Sequence, residues 1–177
     1  MTTIVFDCEV FQYDWLFVFK SHDPEDTERY HIYHNDAEGV KEFIKERPLL
    51  CGFNNKGYDQ FILRAVCDDW TNQEIKALND WIIKGGNGWE YPRIRDAKVW
   101  FDQFDLKDDM QMGLSLKAIE GHLGMDIRES TVSFDLDRPL SEEELAETIY
   151  YCKHDVDATE RLLEERKTYL KNKIMIG

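Results

Sequence analysis

Hydrophobic and polar positions along the chain separate into short strand-like runs followed by helical stripes. Thr3 to Phe11 reads as a buried strand, rich in β-branched and aromatic residues and free of proline and glycine. Two carboxylates, Asp7 and Glu9, interrupt it. Side chains two apart on a strand share a face, so these acids point one way while Phe6, Cys8 and Val10 pack on the other. Trp15 to Lys20 and Arg29 to His34 read as the next two strands, joined by a turn at Asp23-Pro-Glu-Asp26. Asn35 or Asp36 can cap a helix running to Arg47, with Val40, Phe43 and Ile44 as its stripe and Pro48 ending it. Leu49 to Phe53 is a second continuous apolar run, which suggests a parallel strand. A turn at 54–57 leads into a helix over Tyr58 to Asp68. Thr71 caps another, with Ile75, Leu78 and Ile82 at helical spacing. The glycine cluster from Gly85 to Gly88 fits neither a P-loop nor a dinucleotide fingerprint and reads as a loop.

Further on, Arg93 to Phe101 is expected to form a fifth strand and Leu114 to Leu123 a helix ended by Gly124. Ser141 and Glu144 form a capping box that opens a long helix towards Lys171. Its stripe is Leu145, Ile149, Cys152, Val156, Thr159 and Leu163. Strands come first, then strand and helix alternate. The expectation is an α/β fold, a mixed five-stranded sheet flanked by helices, in a single domain over residues 1–177.

Composition narrows the function classes. The 177 residues are 42% hydrophobic and carry a net charge of −14. That sign opposes free binding to a polyanion, so a nucleic-acid ligand would need metal ions or a partner to supply attraction. The four cysteines, Cys8, Cys51, Cys67 and Cys152, form no C-x-x-C pair. They read as buried thiols of a reducing cytosol, not as a disulfide or zinc framework. The N-terminus enters a strand almost at once, so no signal peptide is expected, and no apolar run reaches membrane-spanning length. A cytoplasmic location follows as an expectation.

Asp7 and Glu9 side by side in an apolar strand repel each other and lose hydration. A cation would neutralise them, and an all-oxygen set favours Mg²⁺ or Mn²⁺ over zinc. An edge strand with two solvated acids is the competing reading. Asp59 falls in the first turn of a helix beside a strand end, where ligands gather in α/β sheets but where an acid also serves the helix dipole. Tyr151 and Asp155 lie four apart and flank the apolar stripe of the long helix. Asp157 lies about 120° round the helix from Tyr151 and takes no metal in this reading, while His154 and Tyr150 point elsewhere.

In order along the chain stand Asp7-x-Glu9, Asn55-x-x-Tyr58-Asp59, and Tyr151-x-x-x-Asp155. This set resembles the DEDD, or DnaQ-like, superfamily of 3′–5′ exonucleases, in the tyrosine-containing subfamily that includes polymerase proofreading domains. Tyr151-Cys-Lys-His-Asp-Val-Asp-Ala-Thr159 is similar to the third motif of those domains, and Ser115 to Gly124 to the helix before it in phage polymerases. The resemblance covers Asp7 to Thr159. It implies an RNase H-like fold and a two-metal exonuclease acting on a DNA 3′ end, proofreading in phage-type replication in the host cytoplasm. Asp7, Glu9, Asp59 and Asp155 would hold two divalent cations, Mg²⁺ or Mn²⁺, and Tyr151 would orient the attacking water. Phe11, Asn55 and Tyr58 are the candidate nucleic-acid contacts, the aromatic pair by stacking. Expected partners are a single-stranded DNA 3′ end and a DNA polymerase domain or subunit. A rival from another class is a non-catalytic acidic module that binds a basic protein or mimics DNA, as a charge of −14 suits.

Overall fold

The computed structural model describes residues 2–109 and 129–176, with side chains of the last helix up to Lys167. Among these residues five strands form one sheet: β1 (Thr3–Val10), β2 (Trp15–Ser21), β3 (Tyr30–His34), β4 (Leu49–Gly52) and β5 (Asp102–Asp105). Their spatial order is β3-β2-β1-β4-β5. The first three make an antiparallel meander, and β4 and β5 then join parallel to β1. The architecture is therefore α/β with a mixed sheet flanked by helices.

Helices cover both faces. On one side lie α1 (Ala37–Lys45), α2 (Asp59–Cys67) and α3 (Asn72–Ile83), and on the other the long α4 (Glu142–Ile176). The helix starts are chemically specified. Asp36 accepts from the Gly39 amide. Thr71 and Glu74 form a reciprocal capping box, as do Ser141 and Glu144. Every position of β2 is buried, so its two side-chain rows enter two different cores. Phe17 and Phe19 join Phe6 and Phe61 under α1–α3, while Leu16 and Val18 join Val5, Cys152 and Val156 under α4. Each fully buried phenylalanine contributes about 2–3 kcal/mol by leaving water.

The fifth strand lies later than the sequence pattern suggests. The segment Arg93 to Phe101 is not a strand: it holds a short 3-10 turn, Ile94–Asp96, and irregular backbone. Its apolar residues Ile94, Ala97 and Phe101 are buried at spacings of three and four, which suits a turn packed on α2 rather than a pleat. The strand that pairs with β4 is the polar Asp102–Asp105, at the sheet edge. The helix expected over Leu114 to Leu123 lies outside the described residues. Among the described residues, no helix is long and apolar enough to cross a membrane.

Candidate metal centre

β1 runs through the middle of the sheet and presents Asp7 and Glu9 towards α4, opposite the row formed by Phe6, Cys8 and Val10. Asp59 arrives from the turn after β4. That turn is built by non-local bonds. Asn54 takes a left-handed backbone conformation, φ 64°, and the Gly57 amide donates to its carbonyl. The Asp105 carboxylate accepts from the amides of Asn54 (2.8 Å), Lys56 (3.0 Å) and Lys107 (2.9 Å). The Asn55 side chain donates to Gln103 at 2.9 Å and to the Phe104 carbonyl at 3.2 Å. The end of β5 thus clamps the turn, and α2 starts on Asp59 in a fixed place.

These elements bring Asp7 and Asp59 into hydrogen-bonding contact. The Cys8 thiol donates to Asp59 Oδ2 at 3.3 Å and the Cys152 thiol to Asp7 Oδ2 at 3.7 Å. Ligand atoms of Asp7, Glu9 and Cys152 lie within 4.8 Å of one another. Tyr151 and Asp155, one turn apart on α4, line a cavity of about 270 Å³ together with Glu9, Phe11 and Thr148. All four acids expected to be ligands therefore meet at one place, with Tyr151 at its wall.

The electrostatics of the cluster follow from its geometry. Burial pushes the Asp7 carboxyl well above the usual carboxylate range, and Asp59, Glu9 and Asp155 add repulsion. Burial likewise pushes Asp59 up to about 7, against hydrogen bonds from Cys8 and Asp7 that hold it lower. Burial and mutual repulsion thus favour protonation of this pair, and a bound cation would oppose it. Burial, reinforced by the neighbouring carboxylates, also raises the Cys8 and Cys152 thiols far above their normal range, so both sulfurs stay protonated donors. The donors available to a cation are then carboxylate oxygens, which suits a hard divalent ion.

The other candidate residues surround the acids, each with its own contacts. Asn55 has no exposed surface, and its bonds tie the turn to β5. Tyr58 is half-buried and its hydroxyl donates to Asn79. Phe11 is buried, and its ring stacks on Phe134 at 5.0 Å. Asp157 accepts from Lys20 at 2.8 Å and from Tyr30 at 2.5 Å, on the side of α4 away from Tyr151. Tyr150 is exposed and meets Tyr151 edge-on, and His154 is half-buried.

Three contributors carry no local signal in the sequence. Asp105 sits in an acidic stretch with no recognisable spacing, yet it holds the turn before Asp59. Phe134, 46% exposed, lines both the 270 Å³ cavity and an adjoining cleft of about 690 Å³. Lys76 anchors it by donating to its carbonyl at 3.1 Å. Cys152 reads as one more position of an apolar stripe and proves to be a donor to Asp7. Compared with protein-family models, curated proteins and solved structures, the chain finds no significant match in any of the three.

Proposed function

We propose that the chain is a divalent-metal-dependent 3′–5′ exonuclease of the DEDD type, hydrolysing DNA from its 3′ end. The observation that carries this reading is the convergence of Asp7, Glu9, Asp59 and Asp155 from three distant stretches, with Glu9 and Asp155 lining a cavity walled by Tyr151. The strand order β3-β2-β1-β4-β5, with β2 antiparallel and an acid pair on the central strand, supports an RNase H-like assignment. The residues fit the implied metals, because four mutually repelling, half-buried or buried carboxylates form an oxygen donor set. Asp7, Glu9, Asp59 and Asp155 would hold two ions, Mg²⁺ or Mn²⁺. When bound, such ions make water nucleophilic and neutralise charge that develops on a phosphodiester.

The chain's own residues do the rest. Asp59, clamped by Asp105 through the turn, is held rigid at the start of α2. Tyr151 offers its hydroxyl to orient a water at the cavity wall, at the helical position one turn before Asp155. Phe134, stacked on Phe11, gives a partly open ring for a terminal base beside Glu9. The strongly acidic surface implies weak binding to DNA by this chain alone, consistent with action beside a polymerase domain or subunit. The rival reading, an acidic mimic or protein-binding module, draws only on the net charge. It gains nothing from carboxylates that are turned inward and clamped.

The direct test is a 5′-labelled single strand with Mg²⁺, Mn²⁺, Ca²⁺ or excess EDTA. Laddering from the 3′ end with Mg²⁺ or Mn²⁺, little with Ca²⁺ and none in EDTA is the expected result. Laddering that persists in EDTA overturns the metal-dependent reading, and no laddering with any ion leaves the acidic module.

A further inference from the structure

We infer that a groove at the far end of α2 from Asp59 holds the upstream part of the single strand whose 3′ end is cleaved; this rests on the nuclease reading above. The groove has a volume of about 380 Å³, and Lys41, Lys45, Arg47 and Lys98 line it around Ile44 and Trp100. Among the described residues no carboxylate lines it, in a chain whose net charge is −14. Lys41 and Lys45 already bind acids at the rim, Asp69 at 2.6 Å and Glu42 at 2.7 Å. Attraction for phosphate therefore rests mainly on Arg47 and Lys98. Trp100 is 58% exposed, and the Arg47 guanidinium lies over its ring at 5.0 Å. An indole with open surface stacks a base, while Arg47 and Lys98 beside it meet the phosphates.

The position of the groove gives the idea its scale. Arg47 and Trp100 each stand two residues before a parallel strand, β4 and β5, whose first residues Leu49 and Asp102 are paired. The catalytic carboxylates lie towards the other ends of the parallel strands. α2 spans the gap, with Asp59 at its first residue and Cys67, another groove residue, at its last. At 1.5 Å per residue that helix sets a separation of about 13 Å. α2 is buried along most of its length, so a strand passes round it and its path over the surface is longer than this. An acidic peptide would meet the same cations, but the open indole favours a nucleic-acid strand.

The experiment is a length comparison with Mn²⁺, using single strands of about three and about twelve nucleotides, the shorter one unable to reach the groove. Trp100→Ala should raise KM for the longer strand about fivefold or more, the scale of losing one stacked base, and leave kcat and the short substrate unchanged. Trp100→Phe should keep most of the wild-type behaviour, which separates stacking from a folding defect. In EDTA, Arg47→Ala with Lys98→Ala should flatten the salt dependence of long-strand binding by about 0.7 in log–log slope per cation removed. Equal effects on both lengths, or none on either, overturn the inference. So does Trp100-dependent binding of polyglutamate with unchanged affinity for the longer strand. If the wild type cleaves neither length but binds the longer strand through Trp100, the groove stands and the nuclease reading fails.

Discussion

Two acid clusters sit side by side on α4, and the protein treats them in opposite ways. Asp157 and Glu160 meet Lys20 at 2.8 and 2.7 Å. Glu160 also contacts His22 at 2.9 Å and Arg29, and Glu164 contacts His22. Burial alone would lower the Lys20 pKa, but its hydrogen bonds to Asp157 and Glu160 outweigh that and raise it. Half a turn away, Asp155 faces Asp7, Glu9 and Asp59. There the groups seen around Asp7 and Asp59 are thiols, and the charges acting most on Asp7 are three other carboxylates. One cluster is a finished structural joint between α4 and the β2–β3 hairpin. The other is costly as it stands, and under the proposed function cations from outside would offset that cost. That difference, more than the number of acids, is what marks a site.

Neutralising the second cluster gives the largest expected effect. Asp7→Ala with Glu9→Ala should abolish laddering of a labelled strand while metal-free thermal stability holds or rises, because mutual repulsion is removed. A large fall in the metal-free melting temperature would make these acids structural, like Asp157 and Glu160, and erase the contrast.

The next effect is smaller and concerns Tyr151, which is assigned no metal. Tyr151→Phe should leave metal titrations unchanged and slow cleavage by roughly 10–10³-fold, the scale of one positioning hydrogen bond. Asp155→Asn, by contrast, should weaken metal binding and remove most activity. Asp157→Asn and Tyr150→Phe should cleave at near wild-type rates. An inactive Asp157→Asn beside an active Asp155→Asn would exchange the roles of the two clusters.

Much of this contrast was legible in the sequence, and the unread part has a physical cause. Asp36, Thr71 and Ser141 announce their helices because capping is local, and Asp7 and Glu9 announce themselves because alternation along a strand is local. What failed was non-local. β5 is polar, Asp-Gln-Phe-Asp, because it is an edge strand whose Gln103 and Asp105 serve the turn before α2. The apolar Arg93 to Phe101 segment looked like the better strand. The bonds of Asn55 to Gln103 and Phe104, which brace the turn, left no local mark either. Lys20 gave no hint that it would reach 137 residues ahead to Asp157. Bonds of that span leave no period in the chain.

Breaking the structural cluster should register as stability, not catalysis. Lys20 is 6% exposed, and Lys20→Ala leaves Asp157 and Glu160 facing each other without their shared ammonium. A fully buried pair broken this way costs about 3–5 kcal/mol. Asp157 is 44% exposed, so screening by water reduces the expectation to about 2 kcal/mol. Denaturant unfolding measures it, and Lys20→Arg should recover part. A loss within the error of a surface substitution would mean that the network is decoration.

The finest distinction is the sign of the pH dependence. Asp59 is raised in the folded protein to about 7 by burial, against about 3.9 in an unfolded chain. Between those values the folded state binds more protons than the unfolded one, so this group makes stability fall as pH rises through the window. Glu160 behaves in the opposite sense. Burial would raise it, but Lys20 and His22 outweigh burial and hold it below its ordinary value. Its contribution is present above about pH 4.3, the unfolded value, and is lost as pH falls through the folded one. Metal-free melting curves at a series of pH values should therefore show Asp59→Asn gaining on the wild type from about pH 4 to 7. Glu160→Gln should lose to the wild type above about pH 4 and draw level in stronger acid. Saturating Mg²⁺ should erase the Asp59→Asn advantage, since the cation takes the place of the proton, and leave the Glu160→Gln deficit untouched. Two variants whose pH profiles run parallel, with or without Mg²⁺, would show that the two clusters are electrostatically alike.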